Sequence, residues 1–143
     1  MGYRRMTEEE VHRFVSDPAR PAVLSTTRSD GRPHCAPVWF VLDGDDLLFN
    51  TGADTVKGRN LRRDPRASLC VQDDRAPFSF VVLEGAVELI DDTTQVREWA
   101  ARIGGRYMGA DRAEEYGERN GVPGELLVRL RVDHVVSAAD VAD

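Results

Sequence analysis

Lysine is almost absent from this chain of 143 residues: of its 19 basic residues only Lys57 is a lysine, and the rest are arginines. Cysteine is scarce as well. Cys35 and Cys70 sit in apolar surroundings without Cys-x-x-Cys or Cys/His spacing, which argues against zinc and reads as two buried thiols. His12, His34 and His134 lie too far apart for a ligand set or a triad, so each is read as a surface or satisfied residue, and no metal is expected. No apolar run approaches the roughly 20 residues that span a bilayer. Met1 to Glu10 carries Arg4 and Arg5 but no apolar core, so no signal peptide is expected and the expected location is cytoplasmic. Positive charge is not in surplus either. The 25 acidic residues outnumber the 19 basic ones, net −6, which argues against nucleic acid and anionic membrane surfaces as partners. Also missing are a carboxylate pair, a Ser/His/Asp order and a Gly-x-Gly-x-x-Gly run. Side chains therefore offer no catalytic constellation, no catalytic residue is named, and an enzyme of this sequence would draw its chemistry from a bound cofactor.

What is present is an ordinary globular composition, 41% hydrophobic and 31% charged, at a length that suits one domain spanning 1–143. Thr7-Glu8-Glu9-Glu10 has the form of a capping box, Val11, Phe14 and Val15 share a helical face, and Asp17-Pro18 ends the helix. Ala22 to Thr27 reads as a strand, and Asp30-Gly31 as a hairpin turn. Pro33 to Leu42 reads as one continuous return strand with both faces largely covered. Leu47 to Thr51, Ala67 to Gln72, Phe78 to Ile90 and Glu125 to Val136 complete six strands, with Gly85 expected as a bulge. Helices are expected over Thr55 to Arg63, about Asp92 to Arg106, and Asp111 to Arg119. Tight hairpins with helices in the connections point to a mainly β protein with helices, a small antiparallel barrel.

The densest chemical signal runs from Asn50 to Arg66. A strand end supplies Asn50 and Thr51, a glycine-containing turn follows, and a helix begins near Thr55, where free amides can meet an anion. Lys57, Arg59, Arg62, Arg63 and Arg66 follow within ten positions, opposed by Asp64 alone. The segment reads either as a site for an anionic group or as a solvated helix face whose arginines pair with carboxylates. Trp39, Phe78 and Phe80 could line a slot for a planar ring; ordinary core or a dimer contact is the simpler reading of those three.

Taken together, Asp30-Gly31-Arg32-Pro33, Pro37-Val38-Trp39-Phe40, Leu48-Phe49-Asn50-Thr51, Lys57-Gly58-Arg59-Asn60-Leu61-Arg62-Arg63-Asp64-Pro65-Arg66-Ala67-Ser68 and Glu84-Gly85 resemble the flavin/deazaflavin oxidoreductases of the pyridoxamine 5′-phosphate oxidase-like split-barrel superfamily. The resemblance implies a homodimer of six-stranded antiparallel split β-barrels with cofactor sites between the subunits. By position it implies that Thr51, Thr55, Val56, Lys57 and Asn60 hold the cofactor's phosphate end. Pro37, Val38 and Trp39 would lie along the ring, and Phe78, Ser79 and Phe80 would approach it, some from the partner chain.

Two departures narrow that implication. Cys35 stands where pyridoxamine phosphate oxidases carry an FMN-holding arginine, and Ser137 to Asp143 lacks their arginine-containing substrate motif, so vitamin B6 oxidation is not expected. The Pro-Val-Trp run and the basic helix resemble the actinobacterial subgroup that uses the 5-deazaflavin coenzyme F-420, whose acidic tail would lie over Arg59 and Arg62. The implied activity is hydride transfer from reduced F-420 to a small unsaturated organic substrate. An FMN-dependent enzyme, or a flavin, deazaflavin or haem carrier without turnover, are the alternatives. Asp73 to Pro77 and the region of Tyr107, Met108 and Tyr116 are expected to shape substrate choice.

Overall fold

Thr7 opens the first helix as its sequence requires. Its hydroxyl accepts the Glu10 amide at 3.1 Å while the Glu10 carboxylate accepts the Thr7 amide at 3.1 Å, a complete capping box for α1 (Glu8–Ser16). In the computed structural model, which describes residues 3–143, seven strands follow: β1 (Ala22–Thr27), β2 (Pro33–Val38), β3 (Val41–Asp43), β4 (Asp46–Gly52), β5 (Arg66–Gln72), β6 (Phe80–Ile90) and β7 (Glu125–Ala138). Between them lie α2 (Val56–Arg63), α3 (Thr93–Met108), a 3₁₀ turn (Ala110–Arg112) and α4 (Ala113–Asn120). Among the described residues no helix is long and apolar enough to cross a membrane.

Every neighbouring pair is antiparallel, in the order β2-β1-β5-β6-β7-β4-β3. The two edge strands of that sheet, β2 and β3, are joined by only Trp39 and Phe40. Three Cα steps of 3.8 Å cannot span a flat seven-stranded sheet, so the sheet must curl until its edges meet at this corner. The result is a barrel joined at one end and split along the rest. Phe40, Phe49, Leu24, Leu69, Leu130 and Val81 fill its interior, and a smaller cluster of Val41, Leu48, Val96, Ile103 and Leu127 packs α3 against the outside of β4 and β7.

Seven strands replace the expected six because the second breaks in two at Trp39–Phe40. The physical reason lies in α3. The Phe40 amide donates to the Tyr107 hydroxyl at 3.3 Å, and the Phe40 carbonyl accepts the Arg106 guanidinium at 2.5 Å, so neither group remains for a ladder. The expectation that both faces of this stretch are covered fails too. Pro33, Cys35 and Pro37 of β2 are exposed, which overturns the buried reading of Cys35, while Cys70 is half-buried. His34 also departs from expectation, since its Nδ1 is shut away without a hydrogen-bond partner. β6 starts at Phe80 rather than Phe78, because Phe78 adopts φ 65° and leaves the strand.

Gly85 is a bulge as expected. Glu84 pairs with His134 and Gly85 with Val132, which leaves Asp133 unopposed. A Cβ on Gly85 would lie 2.0 Å from the Arg131 carbonyl oxygen, so only glycine permits this approach.

Candidate functional site

The end of β4 and the start of α2 form a built turn. The Thr55 hydroxyl has a single proton and gives it to the Gly52 carbonyl at 2.8 Å, while accepting the Gly58 amide at 3.1 Å as N-cap of α2. At the 3.0 Å contact between Thr51 and Thr55, the buried Thr51 hydroxyl is therefore the donor, and its lone pairs remain to accept. The cap serves Gly58 alone, which leaves the Val56 and Lys57 amides without helical partners at the positive end of the helix. Gly58 is needed for this closeness. A Cβ there would meet the Gly52 carbonyl oxygen at 2.2 Å, so the residue after Lys57 sets how near α2 starts to the strand end.

Lys57 turns toward a pocket of about 330 Å³ lined by Pro21, Pro37, Val38, Trp39, Asn50, Ile103 and Asn120. Five residues singled out in the sequence (Pro37, Val38, Trp39, Asn50 and Lys57) thus meet in one place. Trp39 forms a wall. One face of its ring stacks on Tyr107 at 5.0 Å between centroids and 4° between planes, and the edge of Tyr116 approaches at 5.8 Å. Tyr107 is itself fixed, because its hydroxyl donates to the Arg20 carbonyl at 2.7 Å and burial pushes its phenol up, keeping it neutral. The indole is a braced, partly exposed surface.

Charge at this end is unusual for so acidic a chain. Of the five basic residues from Lys57 to Arg66, only Arg66 finds a carboxylate, Asp64 at 2.8 Å. Arg63 donates to the Thr27 carbonyl and to the Asn60 side-chain oxygen instead. Among the described residues, Lys57, Arg59 and Arg62 enter no ion pair, so the solvated-pairing reading of this helix does not hold for those three. The Glu125 carboxyl lies nearby. Burial raises its pKa while the Lys57 charge lowers it.

Other expected site residues fall elsewhere. Asn60 is buried on the inner face of α2, where its amide donates to Thr26 at 3.0 Å, so it pins the helix to β1. Arg59 and Arg62 point to solvent on the outer face. Phe78, Ser79 and Phe80 lie in and after the β5–β6 loop and do not line the Trp39 pocket. Pro21, Ile103 and Asn120 were not foreseen, since they reach the pocket from segments with no local signal for it. A larger cavity of about 660 Å³ lies at the opposite end of β4, between α1 and β7, and contains none of the expected residues. Size does not choose the site here; the convergence of free amides, an unpaired cation and a braced indole does.

These residues suit a ligand with an anionic end and a planar end. Free amides and Lys57 suit a phosphate, and Trp39 with Pro37 and Val38 offers apolar contact beside it. Comparison with known proteins agrees with that shape. Over 92 residues, 60% of this chain, it is 33% identical to the pyridoxine/pyridoxamine 5′-phosphate oxidase of Pseudomonas entomophila (strain L48), and the match covers 42% of that protein. The chain thus spans less than half the length of this curated relative. A conserved hypothetical protein of Mycobacterium tuberculosis, Rv2991, superposes with a TM-score of 0.85 at 25% identity, covering 98% of this chain and 91% of that one. An F420 reductase superposes with a TM-score of 0.70 at 24% identity, covering 87% and 94%, a likeness of fold alone. Residues 7–137 match the pyridoxamine 5′-phosphate oxidase family, to which this chain belongs.

Proposed function

We propose that the chain is a homodimeric oxidoreductase that binds coenzyme F-420 and serves hydride transfer from its reduced form to a small unsaturated organic substrate. The observation that carries the choice is the surplus of unpaired cations on α2. One phosphate is served by the Val56 and Lys57 amides with the Lys57 ammonium. Arg59 and Arg62, three residues apart and so on one helix face, are then left over for an extended acidic tail, which F-420 has and FMN lacks. When bound, the deazaflavin supplies the hydride. The chain's own residues do the rest: Thr51 and the helix amides fix the phosphate, Trp39 sets the plane of the ring, and Asn60 holds α2 in place. Vitamin B6 oxidation remains outside the reading, because Cys35 presents no cation from β2.

Support for the dimer comes from the outer sheet surface. Pro37, Val23, Cys70, Val82 and Val136 stand opposite one another in register across five strands. Val23 is 44% and Val136 43% exposed, so this apolar row is uncovered in one chain and suits an isologous contact.

Fluorescence titration with F-420 and with FMN tests the reading, with an Arg59→Ala/Arg62→Ala variant beside the parent. F-420 should bind more tightly to the parent, and the double variant should lose affinity about tenfold for F-420 while hardly changing for FMN. Tight FMN binding with no F-420 binding would overturn it.

A further inference from the structure

Two non-glycine residues have left-handed backbones, Phe78 at φ 65° and Asp140 at φ 57°, and they meet in one double turn. The Asp140 amide donates to the Ser79 hydroxyl at 3.0 Å, and the Ala142 amide donates to the Pro77 carbonyl at 3.0 Å. Inside the loop, the Phe78 amide donates to the Arg75 carbonyl and the Asp73 amide to the Ser79 carbonyl, each at 2.9 Å. A bulky residue at positive φ is strained, and such strain persists only where surrounding bonds over-determine it. Phe78 is also 41% exposed. The fold thus holds an aromatic residue in an unfavourable backbone state and then leaves much of its ring outside the core, a combination that contributes nothing to the stability of the chain alone.

The position of the loop gives the ring a purpose. Ala22 pairs with both Val38 and Val71, so the strand end that leads to Trp39 and the one that leads to this loop lie at the same end of the barrel. The two are also linked: Arg20 approaches Asp73 of the loop at 3.5 Å, and its carbonyl accepts the Tyr107 hydroxyl that braces Trp39.

We propose that Phe78 is a ring-contacting residue of the binding site, and that the segment Asp140–Asp143 is a positioning element that locks it in the left-handed state through Ser79. This rests on the cofactor reading above. The ligand class it selects is a planar aromatic system joined to the anionic end held at Lys57, with Phe78 acting on the ring and not on the phosphate.

Three comparisons test it, with F-420 and FMN as probes followed by fluorescence. Phe78→Ala and Phe78→Gly should weaken binding equally, by about tenfold, while Phe78→Tyr keeps it near the parent value. Only glycine relieves the strain, so the glycine variant should melt about 3 °C above the alanine variant. Ser79→Ala should weaken binding in the parent but add nothing in the Phe78→Ala background, a coupling that a merely structural serine would not produce. Unchanged affinity in Phe78→Ala, alongside weakened affinity in Lys57→Ala, would overturn the inference and leave the cofactor reading standing. Unchanged affinity in both would overturn both. Equal melting of the glycine and alanine variants, or additive losses with Ser79→Ala, would remove the positioning role.

Discussion

Arg106→Ala should cost this protein more than any exposed arginine, and the size follows from its bonds. The guanidinium donates to three backbone carbonyls: Phe40 at 2.5 Å, Val15 at 2.9 Å and Ser16 at 3.0 Å. Two of those are the last carbonyls of α1, which have no helical partner, and the third is at the break between β2 and β3. The same group lies 4.7 Å from the centre of the Phe40 ring. A hydrogen bond from a charged donor contributes about 1.5–3 kcal/mol when well shielded, and partial exposure here favours values near or below the lower end. Three such bonds, with about 0.5 kcal/mol from the cation–π contact, amount to about 4 kcal/mol. That is a large share of the roughly 5–15 kcal/mol that stabilises a domain, and corresponds to a melting point lower by about 10–15 °C. Lysine keeps the charge but cannot fork across two elements, so Arg106→Lys should recover only about a third of the loss. Arg102, paired with Glu98 at 3.0 Å on the exposed face of the same helix, is the control, and Arg102→Ala should leave the melting point unchanged. Thermal unfolding followed by circular dichroism reads all three. A fall of less than about 3 °C for Arg106→Ala would refute the view that this side chain closes the barrel corner.

Gly85→Ala would force a Cβ to within 2.0 Å of the Arg131 carbonyl oxygen, and the β6–β7 ladder must give way; calorimetry should show a loss of about 3 kcal/mol or no folded protein. Val23→Glu changes an exposed residue, so the monomer fold should survive it. In the proposed dimer it buries a charge in an apolar row, and sedimentation should show a monomer where the parent is a dimer. Glu125 carries a pH signature. Burial holds its pKa above the ordinary value of 4.5, so the folded state favours the neutral carboxyl. That contribution is fully present below the unfolded value and is lost as the pH rises through the folded one. Glu125→Gln should therefore match the parent in acid and become more stable than it as the pH rises toward neutrality, as denaturant titrations across that range would show.

Local patterns announced much of this fold. The Thr7–Glu10 box, the bulge at Gly85 and the start of α2 at Thr55 each depend on residues within a few positions, so their chemistry is written in short words. The break at Trp39–Phe40 is different. An alternating run from Pro33 to Leu42 favours one strand, and what interrupts it is a pair of side chains from α3, Arg106 and Tyr107, 66 and 67 residues away. Asn60 shows a similar limit. Its residue type suits a phosphate ligand, but its place beside Leu61 on the inner face of α2 commits it to Thr26. The lysine was legible as a candidate because it is single and opens a helix. Its freedom from carboxylate partners, which separates a binding group from surface decoration, is a property of the folded surface and appears in no window of sequence.

The pairing of that lysine with Glu125 gives the site a way to tell two anions apart. Glu125 is half-buried and close enough to Lys57 for the ammonium to lower its pKa. A phosphate arriving at Lys57 brings negative charge beside the carboxyl and so favours its neutral form; by linkage, any ligand anion should bind more tightly as Glu125 takes up its proton. FMN carries a phosphate monoester whose second ionisation falls near pH 6, so acidification removes charge from the ligand while it neutralises Glu125. The phosphodiester of F-420 has no such step and keeps its charge. Between about pH 7 and pH 5 the affinity for F-420 should hold or rise, whereas that for FMN should fall. Glu125→Gln should flatten the F-420 profile and leave the decline for FMN in place. Identical profiles for the two ligands would mean that the phosphate does not lie at the start of α2, and the charge argument for Lys57 would fail with it.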